Sequence, residues 1–529
     1  MASNPRMGLV GRLDLWQTAI IAVAAVTRLI GLQFGLPHPL CRPDETSIGS
    51  VATSFYHGDL NPHFFNYPPL FMLAVALCLL AWLGIGRTLG YLKDADAANG
   101  LITTTSVHRI ARFLSAASGI ASVALVFRIA GRLFDRTTAL VAAAFLALAF
   151  LHVRDSHFGV TDIPATFMAL LAFLFIVRFD ESFAVRDVAA AALASGLATA
   201  TKYNVALIAG PALLASLAPR QPRAISQRLG RAFLFLVLMA AAFLAVSPYS
   251  LIEWRQFVAA LQFESLHLAA GHGRIVARGW HVHMNSTLRY GLGTPMLVAG
   301  LAGLLWLLRR TPRVGAIVAV FPVSYYLLLG SGYTVFARYM LPIVPFLCLT
   351  AAYTVTEGSR WLAAHIGRPA FAPAIVTAAS VVVLMPTAAS VIAFDRLIAR
   401  TDNRLRAATW IEQRFPAGAT LAQFGPESSH VFVAAADSAR SRLFVNVDFN
   451  RNGPRPDVIV VPSSPLIPMA DVGTVPSILA TDYKIGVDLI AESGDPGNAY
   501  DTQDEFYLPL AGFYRIDRPG PNLTIHVRR

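Results

Sequence analysis

Apolar runs of about 15 to 23 residues recur along most of this chain, near residues 15–33, 70–86, 109–130, 138–153, 160–178, 188–201, 203–218, 232–251, 294–308, 314–330, 339–356 and 371–393. Short hydrophilic pieces separate them. No other feature restricts the possible folds so strongly. A hydrocarbon layer accepts only segments that satisfy their own backbone N–H and C=O groups, so serial runs of this length predict membrane-crossing helices. The charge content agrees: 14% of the 529 residues are charged, against about 25% in soluble domains. The expected fold class is a polytopic α-helical membrane protein.

The formal net charge is +12. Basic residues collected in short loops beside spanning helices account for it, and no Lys/Arg-rich soluble stretch interleaved with aromatics points to nucleic acid. Cys41, Cys78 and Cys348 make no disulfide framework, and no Cys/His spacing marks structural zinc. The first 33 residues, with Arg6 and Arg12 ahead of an apolar stretch, look like a signal peptide. No small-residue cleavage pattern follows, so an uncleaved first helix is expected.

Arginine collects at the N-terminus, at Arg128/Arg132/Arg136, Arg178/Arg186, Arg220/Arg223/Arg228/Arg231, Arg309/Arg310/Arg313 and Arg360/Arg368. These loops alternate with Arg-poorer ones only if one early run does not cross. The run 70–86 follows Pro68-Pro69 and precedes the polar linker "YLKDADAANGLITTTS", so it is expected to lie in the outer interface. That leaves about eleven crossings plus interfacial helices, with the N-terminus inside and the C-terminus outside. It also gathers the loop at Asp44/Glu45, "HVRDSHFGVTD", "TKYN", the loop 253–293 and "GSGYTVFARYM" on one outer face.

Composition shifts after about Phe394. "TDNRLRAATWIEQRFPAG" has a helical period and a Pro/Gly stop, and "ATLAQF", "DVIVVP" and "LTIHV" read as short strands. The expected organisation is a transmembrane domain, 1–395, and a small soluble α/β domain, 396–529, outside the cytoplasm.

Several ionisable residues stand at the ends of the apolar runs. Asp44 and Glu45 follow the first run; a helix cap explains one carboxylate well and its neighbour adequately, whereas a pathway or site explains both. Asp162 stands two residues before Pro164 at a helix start, where capping is again the simpler account. Its convergence with Asp44 on one face is what points to chemistry. His157 precedes it. Lys202 snorkels or meets a phosphate. Arg338-Tyr339 opens a span on the face where basic residues are disfavoured, and Arg, Lys and a Tyr hydroxyl together would clamp a phosphate. His281-x-His283 is a weak metal pattern, and no metal ligand is assigned.

"PDET" after the first span, then "NYPPL", "GRLFDR", "DSHFGVTDIPATF", "TKYN" and "RYMLPIVP", in that order, resemble the GT-C membrane glycosyltransferases. Family 39 is the most similar group, with its protein O-mannosyltransferases and lipid A aminoarabinose transferase. The resemblance covers most of residues 1–395. It implies a polyprenyl-phosphate-linked sugar as donor, an acceptor glycan, lipid or protein, membrane lipids as surroundings, and the outer face of a bacterial inner membrane as location. By position, Asp44 matches the family's acceptor base, Glu45 its acidic neighbour, and Asp162 the second acidic residue. Lys202 and Arg338 match donor-phosphate contacts. Tyr67 stands where some relatives have a lysine, and would replace it with a hydroxyl.

Chemistry supports the same division of roles. A hydroxyl acceptor needs a base, and a phosphate leaving group needs cations more than an acid, which implies direct displacement with inversion. The two-carboxylate scheme of hydrolases fits poorly. No cofactor is required by this scheme, and a divalent metal is left open. The competing expectation is a transporter or flippase of an amphiphile, against which stands the lack of internal repeats. A membrane-anchored interaction scaffold would not need so many spans.

Overall fold

In the computed structural model of the chain, residues 14–90, 104–416, 418–432, 444–447, 455–467 and 478–529 are described. The basic N-terminal start and most of the linker after residue 90 fall outside these residues. Among the described residues, seven helices are long and apolar enough to cross a membrane, or eight if a bent pair counts as one span. The protein is a multi-pass membrane protein with a small C-terminal sheet. Leu70–Thr88, expected to lie in the interface, has the length and hydropathy of a span. The bent pair, Gly279–Leu292 and Thr294–Arg310, turns through 112° at Gly293, whose φ of 75° favours glycine.

The chain divides into two compact units. The first comprises residues 1–29, 58–74 and 114–391. Its helices approach closely where small residues allow it, as membrane packing requires. A Cβ at Gly303 would stand 2.0 Å from the Thr350 carbonyl, and one at Gly196 would stand 2.4 Å from that of Met239. Thr350 Oγ1 donates to the Gly300 carbonyl at 2.8 Å and Thr354 Oγ1 to that of Ala299 at 2.7 Å, tying Thr294–Arg310 to Val344–His365.

The expected single run over 138–153 is in fact two helices, Arg136–Ala147 and Phe150–Asp155. Side chains repair the backbone at the break. Buried Arg28 donates to the carbonyls of Leu146 and Ala147, while Thr387 Oγ1 accepts from Phe150 N and donates to the Leu148 carbonyl. Irregular backbone at membrane depth survives only with such partners.

The second unit is assembled from residues 30–57, 75–113 and 392–529. Its sheet has strands β1 (Ala419–Gln423), β2 (Phe444–Asn446), β3 (Val458–Ser463), β4 (Tyr483–Leu489) and β5 (Asn522–Arg528) in the order β2-β1-β3-β5-β4. The β2-β1-β3 pairs are parallel and β3-β5-β4 antiparallel. Helix Asn403–Arg414, capped by Asp402 accepting from Arg404 N, covers the sheet with Ala407 and Ile411. Leu421, Val458, Val460, Leu523 and Ile525 complete that core. The expected strands correspond to β1, β3 and β5. β4 was not anticipated; Gly486 interrupts its apolar pattern where the register shifts between Ile485 and Val487.

Segment 30–57 is bound to this core. His38 Nε2 donates to the His430 carbonyl at 2.7 Å, and its Nδ1 accepts from Leu40 N. Phe34 packs edge-on against Phe506, and the Arg404 guanidinium donates to Cys41 Sγ at 3.2 Å. Burial pushes the Cys41 thiol up to about 12 and lowers the His38 imidazole to about 3.

Candidate functional site

Helix Pro43–Tyr56 begins with proline in its first turn, followed at once by Asp44 and Glu45. The two neighbours have different surroundings. Glu45 is buried, and Arg112 grips it with both arms: Nε to Oε1 at 2.8 Å and Nη2 to Oε2 at 2.7 Å. The third nitrogen of Arg112 donates to the carbonyls of Phe34 and Leu32, and the guanidinium lies 4.0 Å from the centroid of the Phe34 ring. His108 Nδ1 is 3.9 Å from Glu45. A buried ion pair is tolerable only with this degree of satisfaction. Asp44 keeps 30% of its side-chain surface exposed. Arg42, itself buried, lies between two carboxylates: Nη1 on Asp504 and Nη2 3.8 Å from Asp44.

In the first unit, Asp162 occupies the first turn of Asp162–Ser182 after Thr161. Lys202 Nζ forms an ion pair with its carboxylate, and both side chains are nearly buried. Lys202 Nζ also lies 5.3 Å from the Tyr339 ring centroid. Tyr325 is fully buried within electrostatic reach of Asp162 and Tyr339, and its hydroxyl has no hydrogen-bond partner among the described residues. Arg338 is buried with its guanidinium 3.9 Å over Phe336. His157 is buried and donates from Nδ1 to the Val153 carbonyl at 3.0 Å.

The segment carrying Tyr67 is fastened on both sides. Asn61 and Asn66 donate to Glu253 and Glu264, and Leu70 N donates to the Ala200 carbonyl at 3.0 Å, joining "NYPPL" to the residues just before "TKYN". Tyr67 itself is half-buried, its ring 5.7 Å from that of Phe64.

The structure thus brings Asp162, Lys202 and Tyr339 into one cluster, and gives Asp44 and Glu45 separate environments. Arg112, Arg42, Asp504, Tyr325, Glu253 and Glu264 were not anticipated. Arg112 was recoverable in principle, as an arginine inside an apolar run that demands a partner. Asp504 was not, since nothing local couples it to a residue so far away in the chain. Of the weak metal pattern, His283 is buried with Nδ1 3.1 Å from Thr287 Oγ1. Among the described residues no group of three or more His, Cys, Asp or Glu is arranged to hold a metal ion.

The family described as dolichyl-phosphate-mannose-protein mannosyltransferase matches residues 101–252. ArnT from Cupriavidus metallidurans, in a crystal structure bound to undecaprenyl phosphate, superposes with a TM-score of 0.54 at 15% identity over 96% of this chain and 98% of that chain. Its apo form gives 0.53 at 14% identity, over 96% and 97%. The oligosaccharyltransferase of Archaeoglobus fulgidus, in complex with Zn and sulfate, gives 0.46 at 11% identity over 84% of this chain and 68% of that chain. No curated protein matches significantly by sequence. The likeness to ArnT along nearly the whole of both chains shows the fold.

Proposed function

We propose that this chain, with its GT-C fold of the ArnT type, is an inverting glycosyltransferase that moves a sugar from a polyprenyl phosphate to an acceptor hydroxyl or phosphate at the outer face of a bacterial inner membrane. The observation that carries the reading is the buried Asp162–Lys202 pair beside Tyr339. Asp162 and Lys202 both lie within the segment matching the mannosyltransferase family, in a fold whose ArnT bearer was crystallised with undecaprenyl phosphate.

The proposed chemistry balances simply. The Asp44 carboxylate takes the proton of the acceptor hydroxyl as the acceptor oxygen bonds to the anomeric carbon. The bond from that carbon to the phosphate oxygen breaks, and the polyprenyl phosphate leaves with the electron pair. Lys202 and Arg338 supply cationic charge to it and the Tyr339 hydroxyl a hydrogen bond. Asp162 holds Lys202 in place and, by sharing its charge, keeps the site from gripping the product phosphate too firmly. Glu45 acts as a structural anion that Arg112 clamps to fix the helix beneath Asp44. Tyr67 and His157 contact the donor. No cofactor enters this scheme, and a divalent metal bound with the donor phosphate would add to it. The C-terminal domain is outside the cytoplasm.

Mass spectrometry of glycans and polyprenyl-linked sugars in a deletion strain tests the reading. A lipid-linked sugar should accumulate and one glycan should lose a residue. A strain with neither change would refute the transferase assignment. Complementation with Asp44→Asn should leave the donor accumulated although the protein is present in the membrane; restored glycosylation would remove Asp44 from the role of base.

A further inference from the structure

A buried hydroxyl close to the Asp162–Lys202 pair stands without a hydrogen bond. Tyr325, in the helix Pro312–Leu329, is 0% exposed, and its hydroxyl has no partner among the described residues. The next residue, Tyr326, by contrast donates to the Trp280 carbonyl at 2.6 Å. The Tyr325 ring belongs to an aromatic series. It lies 5.4 Å from Phe321, Phe321 lies 5.4 Å from Phe346, and Phe346 lies 4.8 Å from Phe173 on the Asp162 helix. Burying a hydroxyl unpaired costs stability, so a phenylalanine would serve this packing better. The oxygen therefore has a use other than packing. Asp162 and Tyr339, the groups within its electrostatic reach, both belong to the candidate site.

The site also sets a charge problem. Lys202 forms the ion pair with the buried Asp162 carboxylate, and the same Lys202 is the cation assigned to the donor phosphate. As Lys202 gives charge to the phosphate, Asp162 loses compensation, which is costly for a buried ion. Thr166 Oγ1 is engaged elsewhere, donating to the main-chain carbonyl of Asp162 at 2.9 Å.

We propose that Tyr325 is a positioning residue that donates a hydrogen bond to the Asp162 carboxylate when Lys202 turns to the donor phosphate, and so lowers the cost of binding that phosphate. No proton changes hands: the phenol keeps its hydrogen, Lys202 stays an ammonium and Asp162 a carboxylate. This inference rests on the reading of Lys202 as a donor-phosphate contact.

The test uses the full-length protein in detergent, with undecaprenyl phosphate as the probe and its affinity read by microscale thermophoresis. Tyr325→Phe should weaken binding about tenfold, as the loss of a hydrogen bond to a charged group does. Without lipid, the same variant should unfold at or above the wild-type temperature, because the oxygen it removes is unpaired. A hydroxyl with only a structural role would give the reverse, a lower Tm with unchanged affinity. A second measurement needs neither lipid nor activity. In Lys202→Met the Asp162 carboxylate has lost its cation, so Tyr325 is needed even in the lipid-free protein. Tyr325→Phe should lower Tm by several degrees in that background.

Wild-type affinity in Tyr325→Phe, a lowered Tm in that single variant, or an equal effect on Tm in both backgrounds overturns the proposal. Should Lys202→Met not be recovered folded, the lipid titration and the Tm of the single variant decide. Undecaprenyl phosphate that fails to bind the wild type, with the background-dependent shift in Tm present, would instead overturn the reading of Lys202 as a phosphate contact and leave Tyr325 standing as the reserve partner of Asp162.

Discussion

Arg112 makes four hydrogen bonds with one side chain: two to Glu45 and two to the carbonyls of Leu32 and Phe34. A lysine offers a compact point charge and cannot reproduce that fork, so Arg112→Lys should be far from conservative. Removing the cation altogether leaves Glu45 charged and buried; Arg112→Met should cost about 3–5 kcal/mol. The double variant Glu45→Gln/Arg112→Met should recover part of that loss. Thermal unfolding in detergent, followed by scanning fluorimetry, checks both, and a single variant as stable as wild type would contradict the buried-pair description.

His38 gives the pH counterpart. Its Nε2–H is donated to His430 and its Nδ1 accepts from Leu40 N, so a second ring proton has no place to go. Burial holds the folded-state value at about 3, below the ordinary 6.5. The unfolded chain therefore takes up the proton first as pH falls below 6.5, and the folded state loses stability over the window from 6.5 towards 3. Between pH 7 and pH 5 the loss attributable to His38 should be about 2 kcal/mol. A His38→Gln variant should show a correspondingly flatter dependence of Tm on pH over that range. An equal slope in the two proteins would remove His38 as the cause.

At the scale of elements, helix packing turns on glycines whose environments the one-dimensional pattern does not reveal. Gly303 stands where any Cβ would enter the Thr350 carbonyl at 2.0 Å, whereas a Cβ at Gly84 would meet nothing within 4 Å. Gly303→Ala should therefore destabilise the pairing of Thr294–Arg310 with Val344–His365 by about 1–3 kcal/mol. Gly84→Ala should be neutral or slightly stabilising, as expected when glycine leaves a helix interior. Unfolding of the two variants side by side makes the comparison.

The same contrast shows what could be read in advance. Apolar length identified most helices because the bilayer imposes it on each segment separately. It missed the break after Ala147, because the groups that repair it, Arg28 and Thr387, come from elsewhere in the chain. Asp162, Lys202 and Tyr339 were legible individually as charged or hydroxyl groups at the ends of apolar runs. Their assembly into one cluster was not, since it depends on how three helix starts pack. The pairing of Arg42 with Asp504 depends on tertiary contacts that no local pattern encodes.

For the molecule as a whole, the division at residue 395 read from composition differs from the division by compactness. The C-terminal segment forms one unit with residues 30–57 and 75–113. Cutting the chain after residue 395 should therefore disturb the start of helix Pro43–Tyr56. Cys41 reports it directly: it is 1% exposed in the full chain, and burial keeps its thiol protonated. Maleimide should leave Cys41 unlabelled in the full-length protein and modify it in the truncated one; equal protection would mean the helix start stands without the tail. The proposed outer placement of the tail is checked separately by a reporter fused after Arg529: activity outside the cytoplasm would support it and activity within the cytoplasm would overturn it.

Because residues 30–57 share a compact unit with residues 392–529, a segment early in this sequence cannot finish packing before one much later in it has been made. A chain released early could insert its helices in the membrane and still present an unfinished Asp44 loop. Quality control would then meet a protein that is anchored but incomplete, and synthesis of residues 392–529 becomes the event that completes the packing around the start of helix Pro43–Tyr56.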